Sequence, residues 1–347
     1  MGKWIRGDVH IHSRCCMDGH VPVMDIVEQS QKYCDFLAIS GHAEQGDRWG
    51  EKQYSEILEA RKQYPDIPIF HTAEQEFPIE RHTMFLTTPD NREFDLQADL
   101  VRRYCRLAGV CGIEKAQEEL QFVEQIWGKE KTLMIFNHPN APDVPFEQFE
   151  RIANASEVFR IIACVDRKER RAKQTWDIGA EWDQLLCRGY RIFARCGSDF
   201  HRHFTDGGHD YLPGEFVQDH LFVEQNSYEE IIKAYRTGRF YCTVDNLIAN
   251  PIFEFSEPEA PANAPRKIRL GFQIHHPLEE VDIIADGKSV RTFRKLTGKF
   301  ESEETIPPCT YCRVRGRGAP KKRQYEEGFF EPIFLLNPIF PEAPQCF

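Results

Sequence analysis

The segment Asp8-Val9-His10-Ile11-His12-Ser13 closes an apolar run that begins at Trp4. Residues two apart on a strand point to the same face, so His10 and His12 present two imidazoles together, the arrangement that grips a metal ion. Gly197-Ser198-Asp199-Phe200-His201 repeats the device with a carboxylate and an imidazole two apart. Between these pairs, further candidates fall at the ends of apolar runs or in the loops beside them. Asp18 lies in Cys16-Met17-Asp18-Gly19, His42 ends Ser40-Gly41-His42, and Glu74 and Glu76 follow a third run. His82 precedes Met84-Phe85-Leu86, and His138 closes Phe136-Asn137-His138-Pro139.

Polar pairs that close apolar strands need partners once buried, and divalent ions are partners for imidazole and carboxylate alike. Adjacent ions lower the pKa of a shared water and hold a developing oxyanion, so the expected chemistry is metal-assisted hydrolysis, with no Ser or Cys nucleophile required. Glu74 and Glu76 have the same strand parity, and alternation cannot choose between them. Asp8 shares the face of His10 and His12 and reads as a partner that orients an imidazole. His20, His71, His203, His209 and His220 read as bystanders. Cys309-Thr310-Tyr311-Cys312 has the spacing of a zinc knuckle, but no second pair follows at a suitable distance, so it reads as strand sequence.

Positioning these residues requires strands whose ends converge. Up to about Asn246, short apolar runs (Trp4 to Ile11, Phe36 to Ser40, Ile67 to Thr72, Met84 to Thr87, Leu133 to Phe136, Val158 to Val165, Tyr190 to Ala194) alternate with helix-like stretches. The latter are Val23 to Tyr33, Ser55 to Tyr64, Ile113 to Trp127, Trp176 to Arg188 and Tyr228 to Thr237. Repeated strand-then-helix units imply parallel strands, and about seven of them suggest a closed or nearly closed barrel whose strand ends share one catalytic face. The proline-rich Pro251 to Pro265 reads as a boundary loop, and beyond it short alternating strands with a hairpin at Asp286-Gly287 suggest a small β-sandwich. The expected division is a hydrolase barrel over 1–248 and a C-terminal β-sandwich domain over 249–347.

Composition bounds the partners. Among 347 residues, 41% are hydrophobic and 29% charged, which suits a folded soluble chain, and no apolar stretch reaches the roughly 18 residues of a membrane helix. A net charge of −11 disfavours broad adhesion to nucleic acid or anionic membrane but leaves a nuclease-like site open. The start, Met1-Gly2-Lys3-Trp4-Ile5-Arg6, shows no signal core, and the twelve cysteines are scattered, several within apolar runs. A cytoplasmic location with reduced thiols is expected.

The ordered set HxH, Asp, His, Glu, His, His-Pro and DxH resembles the PHP family, named for polymerase and histidinol phosphatase, over roughly Gly7 to Thr243. The resemblance implies an α/β fold: a distorted (β/α)7 TIM-like barrel with two or three divalent ions, Zn, Mn or Fe. Position by position, it implies one ion on His10, His12, Glu76 and Asp199, a second on Glu76, His82 and His138, and a third on Asp18, His42 and His201. Glu76 is preferred because Gln75-Glu76 followed by His82 resembles the family's third-strand pattern. Many members carry Thr-Asp-His where this chain has Ser40-Gly41-His42, which puts the third ion in question. Ala234 to Tyr241, Ile283 to Gly287 and Leu336-Asn337-Pro338-Ile339 are similar to members with a C-terminal β domain.

The expected activity is phosphoester hydrolysis of a small anionic substrate by a metal-activated hydroxide, with Asp199 or His201 assisting proton transfer. The alternatives are carbamate or amide ester hydrolysis at the same ions, and a non-catalytic metal-binding interaction protein. An amidohydrolase barrel also opens with HxH, but usually adds a metal-bridging lysine and ends with a lone aspartate.

Overall fold

In a computed structural model, the described residues are 2–43, 50–76, 82–105, 113–137, 161–165, 178–261, 263–322, 324–325 and 329–341. His138 lies outside them, and so does the side chain of Glu76.

Two sheets carry the N-terminal part. The first two connections of the larger sheet follow the expected pattern: Lys3–Ile11 pairs parallel with Phe36–Ile39, which pairs parallel with Ile69–His71. Helices Val23–Ser30 and Glu51–Gln63 make the crossovers, burying Val23, Ile26, Val27, Ile57 and Ala60 against the strands. The smaller sheet runs Gln75–Glu76, His82–Thr87, Thr132–Phe136, Ile161–Val165, Phe193–Cys196. Its last three strands are parallel and its first three antiparallel.

The barrel is therefore mixed rather than all parallel. On its other edge Lys3–Ile11 pairs antiparallel with Val217–Val223, which pairs antiparallel with Phe240–Val244. Between those two strands lies the helix Tyr228–Thr237. Ser227 caps its first turn by accepting from the Glu230 N–H, and Gly238, at φ 72°, ends it in the left-handed conformation that lacks a Cβ penalty. Its buried face, Ile231, Ile232, Ala234 and Tyr235, joins the main core with Phe36, Phe193 and Leu221.

The C-terminal strands form the expected sandwich, but one of its sheets continues the barrel. Lys288–Leu296, Leu278–Ala285, Cys312–Gly318 and Ile333–Ile339 follow one another, and Ile333–Ile339 then pairs antiparallel with Phe240–Val244. A second sheet, Ile248–Phe255, Arg266–Ile274 and Lys299–Ile306, covers this extension. Phe253, Ile268, Leu270, Val281, Val314 and Phe334 fill the space between. The expected boundary loop is shorter than its prolines suggest, because Pro251 lies inside the strand Ile248–Phe255.

Polar contacts fasten the seam. Asn337 accepts from the Ala194 N–H at 2.7 Å and donates to the carbonyls of Ala194 and Phe240, completing main-chain bonds where three strands meet. Asp183 takes both Arg313 Nε and Nη2, at 2.6 and 2.7 Å, and the Tyr311 hydroxyl at 2.7 Å. Among the described residues, no helix is long and apolar enough to cross a membrane.

Candidate metal centre

His10 and His12 leave the end of Lys3–Ile11 and are both fully buried. Asp8 holds this end in place through the backbone rather than through an imidazole. One of its oxygens accepts from the His10 N–H at 3.0 Å, and the other from the Ser198 N–H at 2.9 Å. The Asp199 segment is thus tied to the first strand, and His12 N–H donating to the Phe200 carbonyl at 2.8 Å completes the tie. Asp199 adopts φ 49°, a left-handed conformation uncommon for any residue but glycine. Asp and Asn tolerate it best, and local strain of this kind is held where surrounding contacts over-determine it.

Glu74 stands at the centre. Its Oε1 lies 3.0 Å from His10 Nε2 and 3.1 Å from His82 Nδ1, while Oε2 lies 3.2 Å from His12 Nε2 and 3.6 Å from His42 Nδ1. Asn137 Nδ2 donates to Oε1 at 3.0 Å and fixes the carboxylate's rotation. Asp199 Oδ1 lies 3.2 Å from both His10 Nε2 and His12 Nε2. Toward solvent, Asp18 Oδ2 lies 3.2 Å from His42 Nε2 and 3.0 Å from His201 Nε2.

Among the described residues these side chains form three groups of ligand atoms close enough to share an ion: His10, His12, Glu74 and Asp199; His42, Glu74 and His82; and His12, Asp18, His42 and His201. Among the described side chains the carboxylate shared by two of these groups is Glu74, the residue that parity left open. The side chain of Glu76, which the family pattern favoured, lies outside them, and its backbone pairs with His82.

The chemistry of these donors fits divalent cations. His201 Nδ1 faces the Asp199 carbonyl at 2.7 Å, and a carbonyl only accepts, so Nδ1 carries the proton. Nε2 then points a lone pair at the Asp18 carboxylate, 3.0 Å away, which is repulsive unless a proton or a cation lies between. The same demand for positive charge shows in the titration tendencies. Burial pushes the Glu74 carboxyl up, yet His10 and His82 beside it hold it well below the usual range. Burial also lowers His12, but its contacts to Asp199, Cys16 and Glu74 raise it well above an ordinary histidine.

Gly41 accounts for the departure beside His42. A Cβ there would lie 2.4 Å from Gln53 Oε1, and Gln53 is a buried strut donating to the carbonyls of Ile39 and Thr72. An acidic side chain at 41 would collide with that strut. Two supporting residues carry no readable signal in sequence. Asn137 is one, and Asp210 the other: fully buried, it accepts from the His201 and Arg202 N–H groups.

Two of the histidines set aside lie elsewhere, while His20 stands beside the site with its backbone N–H on the His201 carbonyl at 3.1 Å. His71 packs beside Tyr54 and Phe94, and His220 stacks on Tyr241. Burial drives the pKa of each down to about 3, so both are neutral core histidines.

No family model and no curated relative matches the chain. Among solved structures it is similar to a two-domain protein from Bacteroides vulgatus containing a predicted PHP-like metal-dependent phosphoesterase. That likeness has 15% identity and a TM-score of 0.51, and covers 91% of this chain and 90% of that one. The crystal structure of PsfC from Pseudomonas syringae aligns at 13% identity and a TM-score of 0.45, covering 67% of this chain and 90% of that one. The fold is that of a PHP-like barrel carrying a C-terminal β domain.

Proposed function

We propose that the chain is a metal-dependent hydrolase acting on a phosphoester. The observation that carries the reading is Glu74, whose two oxygens face imidazoles from separate segments, His10 and His82 on one side and His12 on the other. A carboxylate so placed is suited to span two ions. In this reading His10, His12, Glu74 and Asp199 hold one ion, and His42, Glu74 and His82 hold a second, with His138 expected to join them. Asp18, His42 and His201 are available to a third. His12 contributes to the inner ion because its Nε2 faces Glu74 and Asp199 at 3.2 Å, whereas its Nδ1 is 3.9 Å from Asp18.

Bound divalent ions would lower the pKa of a water and neutralise phosphate charge, which lets an acidic protein process an anion. The residues themselves set direction and proton traffic. His10, His12 and Glu74 are sealed from solvent, while the Asp18 side chain is 43% exposed. Substrate therefore enters on the Asp18 side. Asp199, buried against two imidazoles, serves as a ligand. His201 stands at the rim with its tautomer fixed by the Asp199 carbonyl, placed to pass a proton to a leaving group when it is not ligating.

The test is metal content together with turnover of phosphomonoesters, phosphodiesters and carbamate esters, before and after chelation and with Mn or Zn restored. Full activity in protein shown by elemental analysis to be metal-free would refute the reading.

A further inference from the structure

His12 belongs to two of the ligand groups, and its two ring nitrogens face one each. Nε2 lies 3.2 Å from both Glu74 Oε2 and Asp199 Oδ1, while Nδ1 lies 3.7 Å from Cys16 Sγ and 3.9 Å from Asp18 Oδ1. The His201 ring, stacked 4.2 Å away and 10° from parallel, sets the plane of the imidazole. Stacking leaves open which nitrogen carries the proton.

Cys16 is placed to settle it. The thiol is buried in a tight loop, where Cys16 N–H donates to the Ser13 carbonyl at 3.1 Å and Arg14 N–H to the Val21 carbonyl at 2.8 Å. A Cβ at Gly19 would lie 2.1 Å from the Ser13 carbonyl oxygen, so the loop closes this tightly only around glycine. Sγ is 3.2 Å from the Ser13 carbonyl and 3.4 Å from Asp18 Oδ1, two acceptors for its single proton. The sulfur then turns lone pairs toward His12, and an Nδ1–H is the group they match. With the proton on Nδ1, Nε2 aims a lone pair between Glu74 and Asp199, where a cation reconciles it with two carboxylates.

A ligating histidine almost always donates its other N–H to a carboxylate, a carbonyl or water, and that partner fixes tautomer and ring orientation. Asp18 Oδ1, at 3.9 Å, is too far to fill the role. We propose that Cys16 is the positioning residue of His12: its sulfur accepts from Nδ1–H and so commits the imidazole, through Nε2, to the ion held with His10, Glu74 and Asp199 rather than to the outer one beside Asp18. The inference rests on the metal-dependent reading above and adds to it a thiol that acts without touching the ion.

The test is zinc binding to the full-length protein, stripped by chelation and titrated in competition with a fluorescent chelator. Cys16→Ala is expected to weaken one zinc per chain about tenfold, the low end for outer partners because sulfur is a weak acceptor. Cys16→Ser, close to alanine in size but keeping an acceptor, should recover most of that loss. Equal affinities of the two variants, or a Cys16→Ala affinity equal to that of wild type, would overturn the assignment. Cobalt-loaded wild-type protein should show no thiolate-to-metal charge-transfer absorption. Such a band would put sulfur on the ion and sink the proposal, and it is read without any variant having to fold. Wild-type protein that binds no zinc would refute the metal centre as a whole, whereas normal wild-type loading with indifferent variants refutes the role of the thiol alone.

Discussion

Asn137 Nδ2 donates to Glu74 Oε1 at 3.0 Å, so the residue before an expected ligand fixes the orientation of the carboxylate at the centre of the site. Outer partners of this kind typically carry about 10–100-fold in metal affinity. Asn137→Ala should lower affinity by that order, read by competition with a fluorescent chelator, while leaving the fold intact by circular dichroism.

Removing the carboxylate itself should do more. Glu74→Gln is expected to weaken two ions together and to cut turnover beyond the roughly 100-fold attributable to outer partners. Glu76→Gln should spare both. Metal stoichiometry on folded variants decides, and loss from Glu76→Gln alone would restore the family-based choice.

A pH effect is expected behind the site. Glu119 is fully buried, its Oε1 accepting from Gln75 Nε2 at 2.5 Å, and burial pushes its carboxyl up to about 8 from an ordinary 4.5. The folded state thus keeps a proton that the unfolded chain releases, and stability fully present below pH 4.5 is lost as pH rises through 8. Glu119→Gln removes that loss, so the variant should gain on wild type by a few kcal/mol between pH 5 and 8. A melting-temperature difference that stays constant across this range would contradict the assignment.

At the seam, Asp183→Asn strips the buried Arg313 guanidinium of its carboxylate. Breaking such a pair costs about 3 kcal/mol. Chemical denaturation should show the drop, with metal content unchanged.

A chain ending near Asn250 should fail to stay soluble, because Phe240–Val244 would lose its Ile333–Ile339 neighbour and the three main-chain bonds Asn337 supplies. Soluble, metal-loaded truncated protein would show instead that the barrel stands alone.

The pair His10 and His12 was readable because strand parity is a local property and needed no partner strand, whereas Asp199 and His201 lie outside any strand and face different ligand groups. The glutamates were not readable in this way, since Glu74 and Glu76 share parity and only the third dimension separates them. Val217–Val223 escaped notice because its Gln218, Asp219 and His220 look like loop sequence. They are buried, Asp219 accepting from Arg195 and Tyr235 and His220 stacked on Tyr241, and those partners lie far off along the chain. The helix Glu93–Tyr104 went unassigned, although Leu96, Leu100, Val101 and Tyr104 form its buried stripe. An all-parallel barrel was expected because alternating strand and helix usually builds one. Here the helix after Val217–Val223 leads instead to an antiparallel neighbour.

The pairing of Ile333–Ile339 with Phe240–Val244 also bears on how the chain is made. During synthesis the barrel's sheet has an open flank at Phe240–Val244 until the distant strand Ile333–Ile339 has left the ribosome. An uncovered strand is a template for another chain, and pairings this distant in sequence close slowly. The nascent protein must therefore carry an unfinished edge while the intervening residues are made, which makes the arrival of the strand with Asn337 the step at which chaperone supply and translation speed would govern yield.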